Sequence, residues 1–134
     1  EYSRNRTVLH TDSSFMPPSK NAWACWNYIK NKGSKDEDNV SVTYYMNRLQ
    51  GLSTNNDYLV TLNPVTEIPK DKIIYETVYT HPKYTQQSLA TQKNINDVSG
   101  KENVFFCGSY CRYGFHEDAV LSAVNVAKKL GCDL

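Results

Sequence analysis

The chain lacks an excess of charge of either sign and has no long apolar run. Its 134 residues carry 15 basic and 14 acidic side chains, which give a formal net charge of +1. No basic stripe is present that would follow a phosphate backbone, so we expect no nucleic acid among its partners. The apolar runs stay well short of the ~20 residues that a membrane-spanning helix needs. We therefore expect no transmembrane segment and a cytoplasmic protein.

Cysteine is sparse, and its four positions are spaced unlike those of a small disulfide-rich protein: Cys25, Cys107, Cys111 and Cys132. A chain that is 40% hydrophobic can bury a core without disulfides, so we expect reduced thiols. Cys107, Cys111 and His116 are close in sequence, but a structural zinc site needs four ligands built from paired cysteine knuckles. The sequence therefore predicts no metal site.

Glycine is also scarce, and its six positions are scattered: Gly33, Gly51, Gly100, Gly108, Gly114 and Gly131. They do not form the Gly-x-Gly-x-x-Gly pattern with which a strand, turn and helix bind the pyrophosphate of a dinucleotide. The chain therefore contains no recognisable dinucleotide-binding unit. No pairing of a nucleophile with a base is visible either, so the catalytic residues are unknown.

Strand-like segments dominate the first 80 residues. Aromatic and β-branched runs, bounded by polar turn residues, predict four strands at residues 22–29, 40–44, 58–62 and 73–79. The connections are too short to hold a crossover helix, so the strands are expected to pair antiparallel. Eight tryptophans and tyrosines lie between Trp23 and Tyr79, and they fit either a sheet core or the lining of an apolar cavity.

Helical patterns dominate the rest of the chain. Apolar spacings of three and four predict a helix over residues 84–98, with Gly100 as its stop. Residues 104–107 form an apolar run that predicts a buried strand. The last helix has acids in its first turn, lysines in its last turn and an apolar face: Ala119, Val120, Ala123, Val124, Ala127 and Leu130. The fold class is therefore α+β, an antiparallel sheet of about four strands followed by a helix, a buried strand and a C-terminal helix.

The passage from the predicted strand to the last helix is the most informative part of the chain. A glycine-containing loop that opens a helix directs unpaired backbone N–H groups and the positive end of the helix dipole at one point. Such a junction suits an anionic or electron-rich ligand. Gly108 and Gly114 also suit tight turns alone, since glycine adopts positive φ without penalty, so both interpretations stay open.

Several motifs resemble one family in order along the chain. Residues 105–108 and 114–120 resemble the carboxy-terminal, flavin-contacting segment of FAD-dependent amine-oxidase-like oxidoreductases, and residues 8–12, 22–28, 42–50 and 60–64 are similar to a bacterial branch of that family. The resemblance implies FAD as the cofactor of the full-length protein. It implies a set of cofactor-contacting residues: Gly108, Ser109, Gly114, Phe115, His116, Glu117, Asp118 and Ala119.

The resemblance covers only the last third of such a protein. It implies that residues 1–100 form part of a substrate-domain sheet with a helix, and that residues 101–134 form a strand and helix that close over FAD. The implied partners are the N-terminal FAD-binding half of the same protein and a small apolar substrate. The chain alone is then an inactive fragment, which should expose an apolar patch around Phe105, Phe106 and the last helix, or self-associate.

Three positions depart from the pattern of the family. Ser109 replaces the usual acid or threonine, Phe115 replaces a tyrosine, and Asp118 replaces a glycine. Oxidation of amines specifically is therefore not implied. The alternative hypothesis is a free-standing, non-catalytic α+β module that binds an apolar ligand or a protein partner through its aromatic sheet.

Overall fold

A computed structural model describes residues 1–30 and 40–132. Five strands form one sheet in the order β2-β3-β4-β1-β5. Their bounds are β1 Tyr2–His10, β2 Trp26–Lys30, β3 Val40–Tyr45, β4 Leu59–Leu62 and β5 Ile73–Pro82. The pairs β1–β4, β2–β3 and β3–β4 are antiparallel. The α+β class and the antiparallel sheet are thus confirmed, with one strand more than predicted.

The additional strand is β1. Its first half is polar, and only the four residues from Thr7 to His10 pair with β4, where Val8 and His10 are fully buried. A strand of this kind gives no clear alternating pattern, because tertiary pairing rather than propensity holds it in place. The predicted strand at residues 22–29 is shorter in the structure, since the Asn27 side chain bonds both the N–H and the C=O of Ala24 and closes a turn there.

Strands β1 to β4 bury an inner face that is largely polar. Ser41, Thr43, Thr61 and His10 are fully buried on it. Their polar atoms pair with one another or with backbone, as in the 2.9 Å contact between the Thr43 and Thr61 hydroxyls and the bond from Ser41 Oγ to the Leu62 carbonyl. Two small apolar groups complete the core: Val8, Phe15 and Ile68, and Met16, Trp23 and Leu59.

The chain divides into two compact units. The first runs from Arg4 to Thr80 and contains the short helix α1, Met46–Gln50. The second consists of Glu1–Ser3 and the chain from His81 onward, with helices α2, Gln86–Val98, and α3, His116–Lys129. Thr85 caps α2 by accepting the Ser88 N–H, while the Ser88 hydroxyl accepts the Thr85 N–H. Both predicted long helices are therefore confirmed.

The buried strand predicted at residues 104–107 is wrong. This segment is extended but pairs with no strand in the described part of the chain, and Val104, Phe106 and Cys107 are exposed. Its backbone hydrogen bonds are local. The Val104 N–H donates to the Lys101 carbonyl in the preceding turn, and the Phe106 N–H donates to the Ser99 hydroxyl. An apolar run becomes a strand only when a neighbouring strand offers it a ladder of hydrogen bonds.

Across the described residues, we find no helix with the length and apolarity needed to span a membrane.

Candidate functional site

We call residues 108–119 the junction, since they connect the extended segment to α3. Both of its glycines have positive φ, +153° at Gly108 and +91° at Gly114. A Cβ at Gly108 would collide with the Tyr110 ring, and a Cβ at Gly114 would collide with the Tyr84 hydroxyl. Glycine is therefore required at both positions by backbone conformation and by a tyrosine side chain lying against the backbone.

The first end of the junction is attached to α3 by Ser122. Its hydroxyl accepts the Gly108 N–H at 2.8 Å and donates to the Ala119 carbonyl at 2.7 Å. Ser109 begins a single tight turn, in which Cys111 N–H donates to the Gly108 carbonyl. Burial raises the pKa of the Cys111 thiol. This thiol therefore stays protonated near neutral pH.

The other end is organised by Asp118. This side chain is buried and accepts the N–H groups of Tyr113 at 3.2 Å and Phe115 at 3.0 Å, while Arg112 Nε lies 3.9 Å from its other oxygen. The negative charge of Asp118 is thus compensated inside the junction. The side chain reaches back from the first turn of α3 to the residues just before it, as in a capping box.

The junction leaves a small number of backbone donors unpaired. Four of the predicted contact residues have their amides occupied. The Gly108 N–H donates to Ser122 Oγ, that of Gly114 to the Ser109 carbonyl, that of Phe115 to Asp118 and that of Ala119 to the Phe115 carbonyl. Among the described residues, the N–H groups of His116 and Glu117 have no acceptor. Both residues are exposed and sit in the first turn of α3, where the helix dipole favours negative charge.

The family model of flavin containing amine oxidoreductases matches residues 34–130, which is well over half of the chain. The chain belongs to this family. Among curated proteins, none matches it. At the family level the protein is therefore an oxidoreductase that works with a flavin, and the resemblance noted in the sequence is confirmed.

The structure of this amine-oxidoreductase chain adds three residues that support the junction from outside it and that sequence reasoning missed: Tyr84, Gln92 and Ser122. Tyr84 lies against Gly114, and Gln92 reaches the loop carbonyls of Tyr110 and Arg112 from α2. A polar residue on a weakly apolar helix gives no sequence signal of such a role. Only the residues of the junction itself carry a motif, so its supports had to be seen in three dimensions.

The aromatic residues of the sheet divide between two roles. Trp23 is buried and packs edge-on against Tyr45, with ring centroids 5.2 Å apart. Trp26 and Tyr28 of β2 are 55% and 72% exposed, and Trp26 lies opposite Tyr44 of β3 on the same face. The sheet of this family member therefore has a polar buried face and an aromatic accessible face.

His10 is a structural residue rather than an acid or base. Its Nδ1 accepts the Asp12 N–H at 3.1 Å, so Nε2 carries the proton and donates to the Thr61 hydroxyl at 2.7 Å. Burial lowers the pKa of His10 to about 4. Asp12 accepts the Ser14 N–H and pairs with Lys72 at 3.2 Å, so its carboxylate caps the turn that follows β1.

Within residues 1–30 and 40–132, no group of three or more histidine, cysteine, aspartate or glutamate side chains lies close enough to bind a metal ion.

Proposed function

We propose that this chain is the C-terminal part of an FAD-dependent oxidoreductase, in which the junction contacts the flavin. The observation that carries the proposal is the pair of unpaired amides at His116 and Glu117, in a chain of a flavin-dependent family. When bound, a flavin accepts a hydride from a carbon–hydrogen bond of the substrate. The task of these residues is to bind and orient its ring system.

The chemistry of the junction fits one edge of a flavin. A reduced flavin carries negative charge near its pyrimidine ring, and two N–H donors at a helix N-terminus stabilise such a charge. The Asp118 carboxylate does not oppose it, because Tyr113, Phe115 and Arg112 compensate that charge locally. Phe115, 64% exposed, offers an apolar ring surface beside these donors.

The accessible face of the sheet supports a substrate role. Trp26, Tyr28 and Tyr44 present aromatic surface on one side of β2 and β3, and the described chain leaves most of that surface accessible. In the proposed enzyme this face lines a cavity for a small apolar substrate. Aromatic rings with a polar tip suit such a lining, because they offer apolar area and a hydroxyl to orient the substrate.

The apolar face of α3 supports the N-terminal half as a partner. Val120 and Leu130 on this face are 56% and 60% exposed, and Ala123 between them is exposed as well. Phe106 is also exposed, which supports the expected apolar patch. An exposed apolar face on a helix is suited to contact with a partner.

The first prediction concerns the chain on its own. We expect it to purify without colour, since two amides and one ring cannot offset the cost of immobilising a molecule as large as FAD. The absorbance spectrum between 350 and 500 nm (the flavin bands) checks this. The full-length protein, prepared in parallel, is the control and should be yellow. A 134-residue chain saturated with flavin would contradict the proposal.

The second prediction concerns the apolar face of α3. Val120→Lys should change the free energy of unfolding of the chain by less than about 0.5 kcal/mol, because Val120 is exposed there. It should weaken association with a separately expressed N-terminal half by at least about tenfold, because a charge would be buried at the interface. Calorimetric titration of the two halves measures this.

Asn125→Lys is the matched control, since Asn125 is exposed on the same helix and outside the apolar face. It should leave the association unchanged. If Val120→Lys also left it unchanged, the apolar face would not be the surface that meets the N-terminal half.

A further inference from the structure

One side chain of α2 holds the middle of the junction. Gln92 Nε2 donates to the Tyr110 carbonyl at 2.9 Å and to the Arg112 carbonyl at 2.6 Å. A primary amide has two N–H donors, so these two bonds use the whole donor capacity of Gln92. The two carbonyls belong to residues two apart in the loop, and their direction is thereby set by a single side chain.

The other side chains that hydrogen-bond the junction come from the helix that it opens. Ser122 and Asp118 belong to α3 and attach the loop to that helix, whereas Gln92 attaches it to a second helix. Tyr84, just before α2, also lies against Gly114. The junction is therefore held from two sides, and Gln92 supplies the hydrogen bonds of the α2 side.

We propose that Gln92 is a positioning residue for the flavin-contacting junction, an inference that rests on the proposed function. It does not touch the flavin. It orients the loop that leads into the first turn of α3, and so sets where the amides of His116 and Glu117 are presented. Precise placement of such donors matters because the stabilisation that they give falls steeply with distance and angle.

The test replaces Gln92 by methionine in the full-length protein. Methionine keeps the length of the side chain and removes both donors, so the helix is preserved while the two carbonyls lose their partner. Gln86→Met, on the exposed first turn of the same helix, is the matched control. Each variant is examined by hydrogen exchange of the amides in residues 108–119 and by the midpoint potential and dissociation constant of FAD.

We expect Gln92→Met to accelerate exchange in the junction by about tenfold, the effect of losing one or two hydrogen bonds, while exchange in the sheet stays unchanged. FAD should bind several-fold more weakly, and its midpoint potential should shift. A purely structural role would lower overall stability without moving the potential. Gln86→Met should change none of these quantities.

The outcomes separate this inference from the proposed function. Unchanged exchange in the junction would overturn the positioning role of Gln92, whatever the flavin does. Faster exchange with an unchanged potential and affinity would show that Gln92 holds the loop but that the loop does not contact the flavin. That result would overturn the flavin part of the inference and the proposed function with it.

Discussion

The stability of this chain should fall by about 3 kcal/mol between pH 7 and pH 4, chiefly through His10. Its pKa is about 4 in the folded chain against an ordinary value of 6.5, and each unit corresponds to about 1.4 kcal/mol. The unfolded chain therefore binds a proton between these two values and the folded chain does not. The contribution is complete above pH 6.5 and is lost as the pH falls towards 4.

Asp12 acts in the same direction. Burial alone would raise its pKa, but the Ser14 N–H and the Lys72 ammonium outweigh burial and hold the pKa below its ordinary value. Asp12 contributes stability at pH values above the ordinary pKa of an aspartate, and this stability is lost at still lower pH. Both groups therefore make the chain less stable in acid, and the loss of stability due to His10 comes at the higher pH.

Denaturant unfolding across this pH range measures the effect, and the imidazole proton resonances of His10 give its pKa directly. His10→Gln should flatten the profile between pH 6.5 and 4, at a cost of about 1–3 kcal/mol at pH 7 for the disturbed partners of Asp12 and Thr61. His116→Gln, at an exposed histidine, should leave the profile as it is. An ordinary pKa for His10 would mean that the imidazole is accessible to water.

The buried inner face of the sheet, to which His10 belongs, explains where sequence reasoning on the fold succeeded and where it could not. The alternation in β3 correctly predicted a strand. It shows that two faces differ, but it does not tell which one is buried. Here Ser41 and Thr43 are fully buried, while the valines and tyrosines of the same strand are partly exposed. Cross-strand partners such as Thr61 make this arrangement favourable, and they come from distant parts of the chain.

The junction shows a similar division. Its glycines, its acids and the helix after it form a local pattern, so the sequence predicted the start of α3 and, as one of two open interpretations, tight turns at Gly108 and Gly114. The apolar run before it was wrongly assigned to a buried strand, because burial depends on a neighbour that local sequence does not reveal. The sequence also did not predict that the Phe115 amide is occupied, because its acceptor is a side chain, that of Asp118 in the first turn of α3.

Gly114→Val tests the proposed contact between the junction and the flavin. In the full-length protein, Gly114→Val should lower FAD affinity by at least about tenfold or shift its midpoint potential. A β-branched residue at a φ of +91° strains the backbone by about 1–3 kcal/mol, and its Cβ would collide with the Tyr84 hydroxyl. The Tyr84 side chain must then move aside, and relief of the backbone strain moves the first turn of α3, with the amides proposed to face the flavin.

Gly131→Val separates this contact from backbone strain. Gly131 has a comparable φ of +80°, stands at the other end of α3, and would meet nothing within 4 Å. It should lower the stability of the protein by a similar strain but leave the affinity and potential of FAD unchanged, as should a change at the exposed Lys128. Flavin titration and spectroelectrochemistry on the three variants give the comparison. If Gly114→Val bound and reduced FAD like the parent, the junction would be a packed turn that leads into a helix, and the flavin contact would have to lie elsewhere in the chain.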